Sequence, residues 1–223
     1  FSGYLDGYLV YGFYALGVLP TTISSCVVFT QNTNGNAVGA LFNAALANTV
    51  GVLVSPLLLS LFLAGSRAAI PAEELLSILR SLLYTMLIPI AVGQVLRRIV
   101  GAPAKPLRKT LSTTSSAFIL LIVLLTVSRT SGEEEFLARV SGIALPLAFL
   151  AFSHILLVVV AYGGARLIGL SHEDQVAAVF AAPQKTMALG VPLLSVYFAS
   201  RPDILTLALL PLLFYHPFQL FVA

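Results

Sequence analysis

Charge is scarce in this sequence. Of 223 residues, 9% are Asp, Glu, Lys or Arg, against 58% hydrophobic. A soluble domain carries roughly 25% charged residues, and a chain this long with so few could not cover a water-facing surface. The mean hydropathy of +0.98 points the same way. Period-two alternation is also missing: runs such as "FILLIVLLTV" (118–127) are apolar throughout, which excludes barrel strands and leaves spanning helices. The single cysteine, Cys26, excludes an intrachain disulfide and any cysteine metal cluster, and reads as a small core residue. The three histidines are far apart and imply no metal site. No nucleophile elbow, phosphate loop or paired carboxylates can be drawn, so no enzyme is expected. The net charge of +3 collects at segment ends, where topology explains it and no nucleic-acid partner is needed. The sequence opens without an initiator methionine and shows no recognisable signal peptide, since residue 1 already lies in an apolar stretch. The expectation is one transmembrane domain over 1–223 that is incomplete at its N-terminus.

Seven apolar segments follow: about 7–31, 37–63, 72–98, 108–128, 138–168, 172–199 and 203 to the end. Ser171 with Asp174 three residues on predicts a capped helix start for the sixth. Alternating sides, one set of loops (31–36, 97–109, 165–174) carries six Lys/Arg and the other four. Five of the six lie in 97–109, which predicts that this loop and the C-terminus are cytoplasmic. "GEEE" (132–135) reads as a solvated external loop.

Two segments share a design. "GVLPTTISSCVVFT" (17–30) and "FAAPQKTMALGVPL" (180–193) each place a proline near mid-span, Pro20 and Pro183, followed by polar residues. Proline removes an amide donor and clashes with the preceding turn, so both helices should break there. In a bilayer such backbone survives only inside protein or beside a watered cavity. A matched pair of breaks is the sequence mark of a secondary transporter with inverted repeats. The helices after each break, with "SPLLLSLF" (55–62) and "LPLLFYHPF" (210–218), extend the match. The halves are then 1–63, the end of a first repeat, and 72–223, a second. The breaks are expected to cross, with Ser24 or Ser25 within about 10 Å of Gln184 or Lys185.

The stretches "LPTTISSCVVFTQNTNGNAVGALFNAALANTVGVLVSPLLL", "PIAVGQVLRR", "APQKTMALGVPLL" and "LLPLLFYHP" resemble the bile acid/sodium symporter family, in its member-7-like branch. The resemblance implies ten helices in two inverted five-helix repeats. The fourth and ninth would be broken and crossing, and this chain would supply helices four to ten. It also implies cation-coupled transport of a small organic anion, with sodium as a possible coupling ion and no other cofactor. The alternative is a regulatory or scaffolding membrane protein that does not transport.

Lys185 stands out among the site candidates, because a midplane ammonium costs about 2.5–3.5 kcal/mol on insertion scales. Where the resemblance implies a sodium-binding carboxylate, this sequence has none. Lys185 therefore stands in for the cation, attracts an anionic substrate, or exchanges a proton; Gln184, Thr186 and the carbonyls freed by Pro183 are its expected partners. Gln184 matches the family's coordinating glutamine. The resemblance places substrate or ion contacts at Thr21, Thr22, Ser24 and Ser25, and polar oxygens on the next helix, where Asn43 and Asn48 lie about 140° apart. Gln94 reads as helix glue and His154 as a hydrogen-bonded core residue. His216 with Gln219 is expected to line an inner cavity.

Overall fold

The computed structural model describes residues 7–64 and 144–223 continuously, together with scattered helical positions between Glu73 and Ser128. The continuous parts form seven helices: α1 (Leu9–Val18), α2 (Ile23–Asn32), α3 (Ala37–Ala64), α4 (Ala144–Leu167), α5 (His172–Ala181), α6 (Met187–Tyr197) and α7 (Pro202–Val222). No strand occurs among the described residues. Ala37–Leu63, Ala144–Leu167 and Pro202–Val222 are each long and apolar enough to cross a membrane. At 1.5 Å per residue they reach roughly 30–40 Å. The expected third and fourth segments contribute only the scattered positions. Gln94, "GEEE" and all of 97–109 except Arg98 and Ile99 lie outside the described residues.

Both proline-marked segments break. Leu19, preceding Pro20, turns extended (φ −73°, ψ 141°), as a residue before proline must. The chain restarts as α2 from Thr22 (φ −77°, ψ 125°), bent 59° from α1. In the second pair α5 runs to Ala181, and α6 restarts from Thr186 with nearly the same backbone (φ −90°, ψ 121°). Each half-helix has 10 or 11 residues, about half a bilayer. The Ser171 hydroxyl caps α5 as expected, accepting the Asp174 N–H at 3.2 Å.

The halves pack in two groups. α1, α6 and α7, with the C-terminal part of α3, enclose a core of large residues including Tyr11, Leu59, Leu194, Leu209 and Tyr215. α1 and α7 cross tightly at Gly12, where a Cβ would come within 2.1 Å of the Ala208 carbonyl oxygen. α2, α5 and the start of α3 meet over small residues, Cys26, Ala40, Ala177 and Ala181. Asn36 ties this group together: its Nδ2 donates to Asp174 Oδ1 at 2.8 Å and its backbone N–H to the Glu173 carbonyl at 2.9 Å. α4 lies against α5 and α7.

Candidate functional site

The breaks meet. Thr186 N–H donates to the Pro20 carbonyl at 3.0 Å. The Thr22 hydroxyl donates to the Lys185 carbonyl at 2.9 Å, and the Ser25 hydroxyl to Gln184 Oε1 at 2.7 Å. Residues some 160 positions apart thus bond each other's unwound backbone, and the N-termini of α2 and α6 begin at the same place.

Of the carbonyls freed at the first break, those of residues 17–21 each receive a donor. Val18 receives the Ser55 hydroxyl at 2.7 Å and Thr21 receives Asn48 Nδ2 at 2.7 Å. Pro20 receives Thr186. Leu19 receives the Lys185 ammonium at 3.0 Å, with Gly17 a weaker contact at 3.5 Å. Burying these oxygens unpaired would cost several kcal/mol each. The ammonium therefore sits at the negative end of the α1 dipole, where a cation is stabilising. This corrects the expected environment of Lys185: its partners are carbonyls of the other break, not those freed by Pro183. α3 seats the break through Gly51, where a Cβ would lie 2.8 Å from the Pro20 ring.

The second break is held by α7. The Tyr215 hydroxyl donates to the Pro183 carbonyl at 2.5 Å. Gln219 bonds residue 185 twice, accepting its N–H at 2.7 Å and donating to its carbonyl at 2.9 Å. Gln219 is fully buried, so it does not line a cavity as its sequence position suggested. His154 is buried and bonds the Tyr215 hydroxyl through Nδ1 at 3.0 Å.

Of the sequence candidates, Thr21, Thr22, Ser25, Asn48, Gln184, Lys185 and Thr186 come together. Ser24 and Asn43 do not; both are exposed, away from the network. The 140° between Asn43 and Asn48 is the reason: α3 can turn only one of them to the break. Two buried polar atoms at the crossing, Thr21 Oγ1 and Gln184 Nε2, have no hydrogen-bond partner, and Thr21 borders the Cys26 thiol. Sequence reading passed over Ser55 and Tyr215. Their signal was positional: each lies in the stretch that matches between the two following helices, "SPLLLSLF" and "LPLLFYHPF".

The sequence pattern of the SBF-like CPA transporter family matches residues 2–223. Sodium/bile acid cotransporter 7 of Rattus norvegicus is 30% identical over 97% of this chain and 63% of its own length. The protein of the same name in Danio rerio is 31% identical over 97% of this chain and 63% of its own. An uncharacterized protein of Pseudomonas aeruginosa is 31% identical over 96% and 63%. The chain thus spans just under two thirds of the length of these relatives.

Proposed function

We propose a transport function from one premise: the chain belongs to the SBF-like CPA transporter family, whose pattern covers it almost end to end. It is an integral membrane protein of that family. The proposed activity of the whole protein is secondary active transport of a small organic anion coupled to a cation, with the site at the crossing. The observation that carries this reading is the mutual bonding of two unwound mid-span segments. There the N-termini of α2 and α6 present positive dipole ends to one point.

Of the roles open to Lys185, its hydrogen bonds support the cation stand-in. A cluster of backbone carbonyls is what a hard cation binds, and here a covalently attached ammonium takes them. Sodium, as cargo, then needs other oxygens, for which Gln184 Oε1 and the hydroxyls of Thr21 and Ser25 are the candidates. Proton coupling instead needs Lys185 to leave the carbonyls of α1 during the cycle. The inverted-repeat reading of 1–63 and 72–223 is supported by a shared rule: each break is held by the helix that follows it. The five Lys/Arg of the 97–109 loop support a cytoplasmic position for it, and alternation of the segments puts the C-terminus on the same side. A cysteine introduced at Ala104, with Cys26 removed, should therefore resist an impermeant thiol reagent in intact cells.

The deciding experiment is uptake into liposomes holding the full-length protein. A labelled bile acid and a set of smaller organic anions would be offered under a sodium gradient and, separately, a proton gradient. Gradient-dependent accumulation of one of them is expected. No accumulation of any under either gradient would overturn the proposal.

A further inference from the structure

Tyr215 and Gln219 lie one turn apart on α7, both buried, and both are spent on the second break. The Gln219 amide faces residue 185 across two bonds, Oε1 to its N–H at 2.7 Å and Nε2 to its carbonyl at 2.9 Å. A backbone N–H can only donate and a carbonyl can only accept, so these partners fix which way the amide points. Nε2 has a second hydrogen, and His216 Nδ1 lies 3.0 Å away to take it.

We infer that Gln219 is a positioning residue: it holds the Lys185 peptide unit unwound and turned so that the ammonium reaches the α1 carbonyls, and His216 reinforces the orientation of its amide by offering an unprotonated Nδ1. The inference rests on the transport reading for what the ammonium does, and not for how it is held.

Hydrogen counting gives the two histidines opposite roles. Tyr215 has one hydroxyl hydrogen, and it goes to the Pro183 carbonyl. His154 Nδ1, at 3.0 Å from that hydroxyl, must therefore carry a hydrogen. A further proton on His154 would leave this bond intact. A proton on His216 Nδ1 would set donor against donor at Gln219. The His216 ring also borders the Lys185 carbonyl, so the added proton would compete with Gln219 for the same oxygen. His216 is partly exposed, which gives a proton access.

The titratable groups around it are Lys185 on the break, Tyr215 beside it on α7, and His154 of α4 behind Tyr215. Tyr11 and Tyr14 of α1 are engaged with Phe198 and Phe62. Tyr197 of α6 donates to the Pro56 carbonyl. Protonation of His216 thus loosens the hold on Lys185.

The test is amide hydrogen exchange, read by mass spectrometry on the full-length protein in detergent and corrected for intrinsic rates. Gln219→Leu should speed exchange across 184–186 by about tenfold, the weight of two neutral hydrogen bonds, while α1 and the first half of α7 keep the parent's protection. His216→Asn, which keeps an acceptor near the Nδ1 position, should match the parent at pH 8; His216→Phe should fall between parent and Gln219→Leu. Lowering the pH to 5.5 should cost protection at 184–186 in the parent and not in His216→Asn. Should Gln219→Leu fail to fold, the two His216 variants decide. Unchanged protection in Gln219→Leu, equal protection in the two His216 variants, or an equal pH response in the parent and His216→Asn, overturns the inference. The uptake assay separates the two claims: a protected break in a protein that accumulates no anion sinks the transport reading and leaves Gln219's role standing.

Discussion

At the first break the carbonyls of residues 17–21 are all met by donors, and a charged group reaches two of them. At the second, the groups of Pro183 and Lys185 are met by a phenol, an amide and a hydroxyl, all neutral. The supporting scheme is otherwise the same. α3 sends Ser55 and Asn48 to the first break and α7 sends Tyr215 and Gln219 to the second. The difference shows what Lys185 contributes. Unwound backbone at mid-membrane can be satisfied by neutral donors alone, as the second break is. The positive charge at the first therefore exceeds what hydrogen bonding requires, and that surplus is the ground for giving it a transport role.

Substitutions at matched positions can break the comparison. Gly51→Leu should have the largest effect, because its side chain would press on the rigid Pro20 ring. A loss of about 3 kcal/mol, at the upper end for overpacking, is expected in detergent unfolding. Asn48→Leu and Gln219→Leu each strand one buried backbone group, the Thr21 carbonyl and the Lys185 N–H. Losses of about 1–2 kcal/mol are expected for each. A large inequality between them would mean that the two breaks are not held alike. Thr22→Val removes one bond to a carbonyl that keeps Gln219, so about 0.6 kcal/mol is expected, the average for a bond between membrane helices. Ser24→Ala and Asn43→Ala, both exposed, should stay within about 0.5 kcal/mol. A fall in uptake with that stability kept would assign them to the substrate path.

The sequence located the breaks well, because proline acts on its own immediate backbone. Pro20 and Pro183 mark the interruptions, and the restarts fall two and three residues later, at Thr22 and Thr186. That Ser24 or Ser25 would meet Gln184 or Lys185 followed from the matched pattern; which of them pair, Ser25 with Gln184, came from the structure. What stayed hidden depends on contacts over long separations. Nothing local tells Lys185 to choose carbonyls 166 residues away over those beside it. Gln219 and Ser55 each read as a lone polar group on an apolar helix, where glue, cavity lining and service to a break look identical. Asn43 and Asn48 could be told apart only once the face of α3 toward Pro20 was known.

Changing the charge itself tests the central claim most directly. Uptake by the full-length protein would be compared for the parent, Lys185→Gln and Lys185→Arg, under sodium and proton gradients. Gln keeps hydrogen bonding without charge, and Arg keeps a charge that it does not release as a proton. The account predicts that Lys185→Gln lowers uptake on the order of a hundredfold, the scale of a lost buried charge, while the protein still inserts and folds. Retained uptake in Lys185→Arg would identify a fixed stand-in for a cation, and lost uptake a proton exchanged during the cycle. If Lys185→Gln transports like the parent under both gradients, the charge at the first break is structural and the account is wrong.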